Sequence, residues 1–474
     1  MMLGRGDPIE TLTPKRAETK QSFIPGSSSE IDDEDILDVK NLRQQLVPRD
    51  SPFVKDNNSG GGFVGDKDLV ALEVSRYESD ESSGAGCVGI YNSMDGTCMP
   101  LPPWARRSGP RKTIYHDPKT VTAAVVTCGG LCPGLNDVIQ NIVFTLLDYG
   151  VQEDAIYGIK YGLRGFYDRN AKPVELNARA VEGIHLRGGT ILGTSRGGAD
   201  VKEIVRRLSL WGVNMLFVVG GNGGNAAANA IQEECEAKNV VCTVVGVPKS
   251  IDNDILLIDK CFGFDTAVEE AQHALLAAKV EASSASNGVG LVRLMGRQSG
   301  FIAMQASMAS GVVDICLIPE IEFAEDKLMG CIQQIIDRRG HAVVCVAEGA
   351  GQALLATKSH ATDASGNPIL EDIGIFLRDR IKALIKGADV KLIDPSYLIR
   401  AVPTNPNDRI YCKILGQGAV HGAFAGFTGF TVGLVNTHYV YLPIPVIIQA
   451  ARTVDPKGRN WNRLKTAINQ QDLE

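Results

Sequence analysis

The 474-residue chain is 44% hydrophobic with a formal net charge of −7, which fits a soluble globular protein large enough for two packed lobes and an extension. It has no clustered basic footprint and few aromatics, so it does not read as a nucleic-acid binder; its longest apolar stretch, residues 439–451, is too short for a membrane span and holds Pro443 and Pro445. The eleven cysteines are widely spaced, follow no secretory apolar leader and mostly lie inside apolar patterns, as Cys316 and Cys345 do, so buried thiols in a reducing, intracellular compartment are expected.

Residues 1 to 85 carry acidic and serine clusters (27–30 and 32–35) and the glycine run 60–62. So little apolar surface predicts a flexible extension. From residue 121 apolar runs alternate with amphipathic stretches. A buried strand over 121–127 is followed by a glycine turn, then by Val138, Ile139, Ile142, Val143, Leu146 and Leu147 at helical spacing. The unit returns as a strand over 216–219 and a helix over 226–235, then as a strand over 240–247. Thr266 with Glu269 forms a capping-box pattern at the start of a long helix. Further strands are expected over 288–294, 313–318 and 342–347. This alternation predicts an α/β fold: two doubly wound, mostly parallel-sheet lobes with the flexible N-terminal extension. In such sheets ligands bind where loops leave the carboxyl ends of strands.

Those loops are unusual. Residues 129–136 (GGLCPGLN) follow a strand and open a helix, where backbone amides and the helix N-terminus favour an anion. Cys128 and Cys132 alone are poor evidence for a metal. Residues 188–198 form a second glycine-rich loop containing Arg196, a natural clamp for a phosphoryl group. Residues 220–225 (GGNGGN) make a third cradle. Residues 248–254 (PKSIDND) place two carboxylates two positions apart beside a lysine and a hydroxyl, which suits phosphoryl transfer to an alcohol. An Asx-stabilised turn is the alternative for that segment.

The ordered set TCGGLCPGLN, LRGGTILGTSRGG, VVGGNGG, VPKSIDNDI, FGFDTAVEEA, LMGRQSGFIA, VAEGAG and DPSYLIR resembles the 6-phosphofructokinase family, over residues 105–465, and within it the plant-type ATP-dependent branch. The resemblance implies ATP-dependent phosphorylation of fructose 6-phosphate at its 1-hydroxyl, a glycolytic step, with Mg²⁺ as cofactor and allosteric control. It also implies an extension at 1–104, a nucleotide lobe from 105–263 with 401–450, and a sugar-phosphate lobe from 264–400 with 451–474. A homo-oligomer, dimer or tetramer, is the implied assembly. The cytoplasm is the expected compartment, with the plastid stroma as alternative.

By the same resemblance Gly129, Arg196 and Gly197 contact the nucleotide, and Gly221, Asn222, Gly223 and Gly224 bind its phosphate chain. Asp252 is the implied catalytic base and Ser250 a hydroxyl near the transferring group; Ser250, Ile251 and Asp252 contact the substrate. Met295, Gly296 and Arg297 form the sugar loop, with Arg297 catalytic; Glu348 holds sugar hydroxyls. Tyr397, Leu398, Ile399 and Arg400 form the 6-phosphate segment. Asp254 is a possible metal ligand and Asn222 a weak one. Asn222 departs from the family's usual metal-binding aspartate, and a neutral amide is a poorer ligand for Mg²⁺. That leaves a catalytically weak regulatory subunit as an alternative. Pyrophosphate-using relatives carry an aspartate where Gly223 stands, so Gly223 beside Lys249 favours ATP over pyrophosphate. His421 reads as packing. Cys87 and Cys98 are candidates for a redox pair, against two free thiols.

Overall fold

A computed structural model describes residues 31–56, 62–72, 89–91, 98–355 and 369–473. The fully apolar runs form two sheets. The larger orders its strands Leu69–Ala71, Trp104–Arg107, His438–Pro443, Phe430–Val435, Thr243–Pro248, Met215–Gly220, Ala123–Thr127, Ile156–Ile159 and Val174–Glu175. The run from Phe430–Val435 through Ile156–Ile159 is parallel, and both flanks are antiparallel. The second sheet is parallel throughout, ordered Ile315–Leu317, His341–Ala347, Gly288–Leu294 and Asp389–Ile393. Buried on both faces, the central strands need no polar alternation, which is why they read as continuous Val, Ile and Ala runs.

The chain leaves Ala123–Thr127 toward one side of the large sheet, to Ile156–Ile159, and resumes on the other side at Met215–Gly220. That reversal opens a crevice at the carboxyl ends of the two strands. Register brings Thr127 level with Val219, and Gly220 level with Pro248. The loops beginning at 128, 221 and 249 therefore emerge side by side. The second sheet reverses at Gly288–Leu294, so the loops after 294, 347 and 393 also converge.

One core runs through both sheets. Phe262, Phe264, Ala271 and Leu275 belong to the same buried cluster as Val219 and Val247 of the large sheet and Val292, Leu294 and Val343 of the small one. A fully buried phenylalanine such as Phe262 contributes about 2 kcal/mol. The helix Phe264–Ser283 packs on the small sheet and against the helix Pro406–Phe424. Its expected capping box does not form. Thr266 donates its amide and hydroxyl to Asp408 Oδ2, each at 2.7 Å, and Gly263 donates to Asp408 Oδ1 at 3.0 Å; Glu269 instead accepts from Asn405 Nδ2 at 3.0 Å. The helix Pro406–Phe424 thus caps its neighbour with a carboxylate that no local pattern announces.

The expectation of a flexible extension needs correction for residues 31–56 and 62–72. Ile36, Leu37, Val39 and Val70 are buried, Leu37 donates its amide to the carbonyl of Trp104 at 2.7 Å, and Leu69–Ala71 forms the edge of the large sheet. Arg43 and Arg111 both grip Asp66, and Arg43 stacks 4.5 Å from the Phe427 ring centroid. The acidic surroundings hid these few apolar anchors, whose partners lie far away in sequence. Residues 27–30, the glycine run at 60–61 and Cys87 lie outside the described residues, as does the side chain of Cys98. The redox-pair expectation therefore falls there too.

Candidate active site

The converging loops enclose a cleft of about 400 Å³ lined by residues of all four predicted segments of the large sheet and by the sugar loop. In the first loop Gly129 takes φ +87° and Gly134 φ +101°, values that suit glycine because they carry no Cβ penalty. A Cβ on Gly134 would lie 2.5 Å from Cys412 Sγ. The first and second loops are laced together. Gly129 donates to the carbonyl of Ser195 at 3.0 Å, and Thr194 Oγ1 donates to the carbonyl of Gly129 at 2.8 Å. Arg196 and Arg400, from different sheets, meet above Gly130: a Cβ there would lie 3.5 Å from Arg196 Nη2 and 3.4 Å from Arg400 Nη1. Buried Lys249 reaches the same place, with Nζ 3.6 Å from the corresponding position on Gly129.

The third loop is itself helical. The helix expected from 226 runs Asn222–Ala237, with Gly221 as N-cap. Glycine's low helix propensity masked this start. The amides of its first turn face the cleft without a side-chain cap, a ready anion site on a helix of several turns. Asn225 fastens the turn, donating Nδ2 to the carbonyls of Gly220 at 3.1 Å and Gly221 at 3.0 Å. A Cβ on Gly223 would meet no described atom within 4 Å.

Asp252 sits at the meeting point. Its Oδ1 is buried without a hydrogen-bond partner among the described residues, while its carbonyl accepts from Ser299 Oγ at 3.0 Å. Burial raises its carboxyl to about 7, helped by the negative charges of Asp254 and Glu348 and opposed by Lys249 and Arg297. A carboxylate poised near neutrality with an unused oxygen suits general-base work. Ser250 Oγ donates to Asp254 Oδ1, so its hydroxyl is committed to that carboxylate. Between them Ile251 is buried and joins the core that bridges the sheets while still edging the cleft. Asn222 Nδ2 donates to Asp254 Oδ2 at 3.2 Å, leaving Asn222 Oδ1 buried without a partner among the described residues.

Most predicted site residues line the cleft: Gly129, Arg196, Gly197, Gly221, Asn222, Gly223, Gly224, Ser250, Ile251, Asp252, Asp254, Met295, Arg297 and Arg400. Gly296, Glu348 and Tyr397 to Ile399 do not. Gly296 works from behind, its carbonyl accepting from Gly349 N at 3.0 Å. Glu348 is outside the lining, and its negative charge helps raise the carboxyl of Asp252. Tyr397 and Leu398 are 74% and 70% exposed and Ile399 is fully buried; Arg400 alone of that segment enters the cleft, stacked 4.9 Å from the Tyr397 centroid. Sequence reasoning missed Leu163, Ala199, Ala227 and Gln298 in the lining. Leu163 had a weak sequence signal in Gly162 just before it, which with Tyr161 takes a left-handed turn. Cys128 and Cys132 are buried with thiols pushed up to about 12 by burial. Among the described residues no group of three His, Cys, Asp or Glu could hold a metal. His421 packs against Tyr149 and Phe53, accepting or donating at Nδ1 to the Tyr149 hydroxyl at 2.9 Å.

Two mostly parallel sheets whose loops line one cleft, with amide-rich turns on one and arginines from both, define an α/β protein built to hold phosphorylated ligands. The chain belongs to the phosphofructokinase family, whose model ("Phosphofructokinase") matches residues 122–423. It is 52% identical over 419 residues to ATP-dependent 6-phosphofructokinase 5, chloroplastic, of Arabidopsis thaliana, covering 87% of this chain and 76% of that one. It is 43% identical over 450 residues to ATP-dependent 6-phosphofructokinase 2 of the same plant, covering 92% and 96%. The fold matches the pyrophosphate-dependent phosphofructokinase from Marinobacter aquaeolei with a TM-score of 0.62 at 19% identity, covering 74% and 93% of the two chains.

Proposed function

We propose that this protein transfers the γ-phosphoryl group of ATP to the 1-hydroxyl of fructose 6-phosphate, giving fructose 1,6-bisphosphate and ADP. The observation that carries the reading is the unpartnered Asp252 Oδ1, held between the amide turns and Arg297. The turns at 129, 197 and 221–224, with Arg196 and Lys249, hold the donor's phosphates. Arg400 and Arg297 hold the sugar phosphate and the transferring group. As the sugar oxygen forms its bond to the γ-phosphorus and the bond from that phosphorus to the β,γ-bridging oxygen breaks, Asp252 takes the hydroxyl proton.

The residues present fit Mg²⁺, a hard cation that takes few protein carboxylates and fills its shell with phosphate and water oxygens. Asp254 and the orphaned Asn222 Oδ1 would hold it. Bound there, it would neutralise charge building on the phosphoryl oxygens. Open space at Gly223 supports ATP as donor, in keeping with the names of the two Arabidopsis relatives above. The exposed Tyr397 and Leu398 beside Arg400 support a homo-oligomeric assembly, which light scattering would check. Among the described residues no helix is long and apolar enough to cross a membrane; we place the protein in the cytoplasm or plastid stroma, which imaging of a fluorescent fusion separates.

The test is a coupled assay with ATP and pyrophosphate in parallel on wild type and Asp252→Asn. Turnover with ATP should fall about 10²- to 10⁴-fold in the variant, with ATP still bound. Wild-type turnover should rise with pH through about 7 as Asp252 loses its proton. A variant as fast as wild type, or turnover with pyrophosphate alone, would overturn the assignment.

A further inference from the structure

The C-terminal segment 451–454 lies outside the cleft lining, yet it fastens the two loops that must meet there. Ala451 bridges to Ile255. Arg452 donates its amide to the carbonyl of Asp254 at 2.8 Å. Its Nη1 donates to the carbonyls of Ile258 at 3.0 Å and Asp259 at 2.8 Å, on the returning arm of the same loop. The guanidinium carbon then lies 4.9 Å from the centroid of Phe301, the first residue of the helix Phe301–Ser310. Two residues on, Val454 donates its amide to Glu320 Oε1 at 2.7 Å. The same carboxylate accepts from Gly300 N, the cap of that helix, at 2.9 and 3.1 Å.

Arg297, Gln298 and Ser299 lead through the cap Gly300 into the helix Phe301–Ser310. The segment 451–454 therefore pins the carboxylate loop of the large sheet with one hand and the sugar loop of the small sheet with the other. The Ser299–Asp252 hydrogen bond ties those loops to each other directly, and the strap backs it from outside the cleft. Reaction between groups held on separate loops is sensitive to small misplacement. We infer that Arg452 is a positioning residue for phosphoryl transfer, setting the distance between Asp252 and Arg297 by clasping the Asp254–Asp259 backbone onto the helix at Phe301.

The donor's turns have their own anchors: the Gly129–Ser195 and Lys249–Gly220 amide bonds and the Asn225 side chain. Loosening Arg452 should leave nucleotide binding nearly intact. A lysine keeps a cation over Phe301 and can reach one carbonyl, but it lacks the planar fork that spans two. Arg452→Met removes both. This inference rests on the phosphotransferase reading above, so Asp252→Asn is carried as a parallel control.

The experiment uses the full chain and measures kcat, both KM values, ATP affinity by calorimetry and thermal unfolding for Arg452→Met, Arg452→Lys and Glu320→Gln. Arg452→Met should lower kcat about 10- to 100-fold, with ATP affinity within about twofold. Arg452→Lys should recover much of that loss. Glu320→Gln, which keeps one acceptor for the strap, should lower kcat several-fold and supplies the reading if Arg452→Met fails to fold. An unchanged kcat in folded Arg452→Met and Glu320→Gln overturns the inference. So does a kcat loss matched by an equal loss of ATP affinity, or one that lysine does nothing to rescue. If Asp252→Asn itself turns over at the wild-type rate, the fault lies in the base assignment and not in the clasp.

Discussion

Replacing Asn222 with aspartate would convert an attraction into a repulsion. Asn222 Nδ2 now donates to Asp254 Oδ2 at 3.2 Å; in Asn222→Asp a carboxylate oxygen takes its place. Two unit charges at that distance repel by about 1.3 kcal/mol with full water screening and about 5 kcal/mol at an effective dielectric of 20. The upper figure is capped by proton uptake, since holding a carboxyl of ordinary pKa protonated at pH 7 costs about 4 kcal/mol. The metal-free variant should thus be less stable than wild type by about 1 to 4 kcal/mol. Mg²⁺ would relieve that strain, because two carboxylates then share one cation. Denaturant midpoints with EDTA and along a Mg²⁺ titration would show a lower starting point and a larger metal-dependent rise for Asn222→Asp. The half-saturating Mg²⁺ concentration for turnover should fall as well. If the metal-free variant matches wild type and Mg²⁺ stabilises both alike, the 222–254 pair is not where the cation sits.

A Cβ at Gly223 would meet no described atom within 4 Å, so Gly223→Asp should fold normally. Its charge would raise the ATP KM about tenfold or more, the 1.4 kcal/mol that one like charge in a partly desolvated cleft supplies; steady-state kinetics with both donors would read it. Gly134→Ala should cost about 2 to 4 kcal/mol by denaturant titration, because its Cβ would meet Cys412 Sγ at 2.5 Å and Phe262 at 2.9 Å at φ +101°. His116, 3% exposed and 2.9 Å from Thr243 Oγ1, is lowered by burial from 6.5 to about 4. Between those values the unfolded chain binds the proton and the folded chain does not, so stability is full above pH 6.5 and falls as pH drops toward 4. At pH 5 the loss should be about 2 kcal/mol, and His116→Gln should flatten that part of the stability–pH curve.

The central strands were legible because double burial leaves them continuously apolar, and their loops were legible because phosphate cradles need glycine at positions few other residues tolerate. Strand 288–294 appears with the expected bounds. What escaped depends on partners remote in sequence. The carboxylate of Asp408 that caps residue 266, 142 positions away, could not be read from either neighbourhood. Nor could the burial of Ile36 and Leu37, which follows from strands near 104 and 440. Within the site, Asn222 was visible as a departure, but its bond to Asp254 was not. Tyr397 and Leu398 share a motif with Arg400, yet backbone direction turns only the arginine into the cleft.

The order of strands in the large sheet also bears on how the chain comes to be assembled. Among the described residues, Phe430–Val435 is the strand that links Thr243–Pro248 to His438–Pro443, through which Trp104–Arg107 and Leu69–Ala71 attach. A nascent chain emerging N-terminus first therefore holds an open, apolar strand edge at Thr243–Pro248 until Phe430–Val435, nearly two hundred residues later, is made. The strand Leu69–Ala71, made early, waits just as long for a place to dock. Such long-range closure makes for slow folding exposed to aggregation, so chain ends and stop codons near 430 weigh far more on yield of soluble protein than the position of that segment, remote from the catalytic loops in sequence, would suggest.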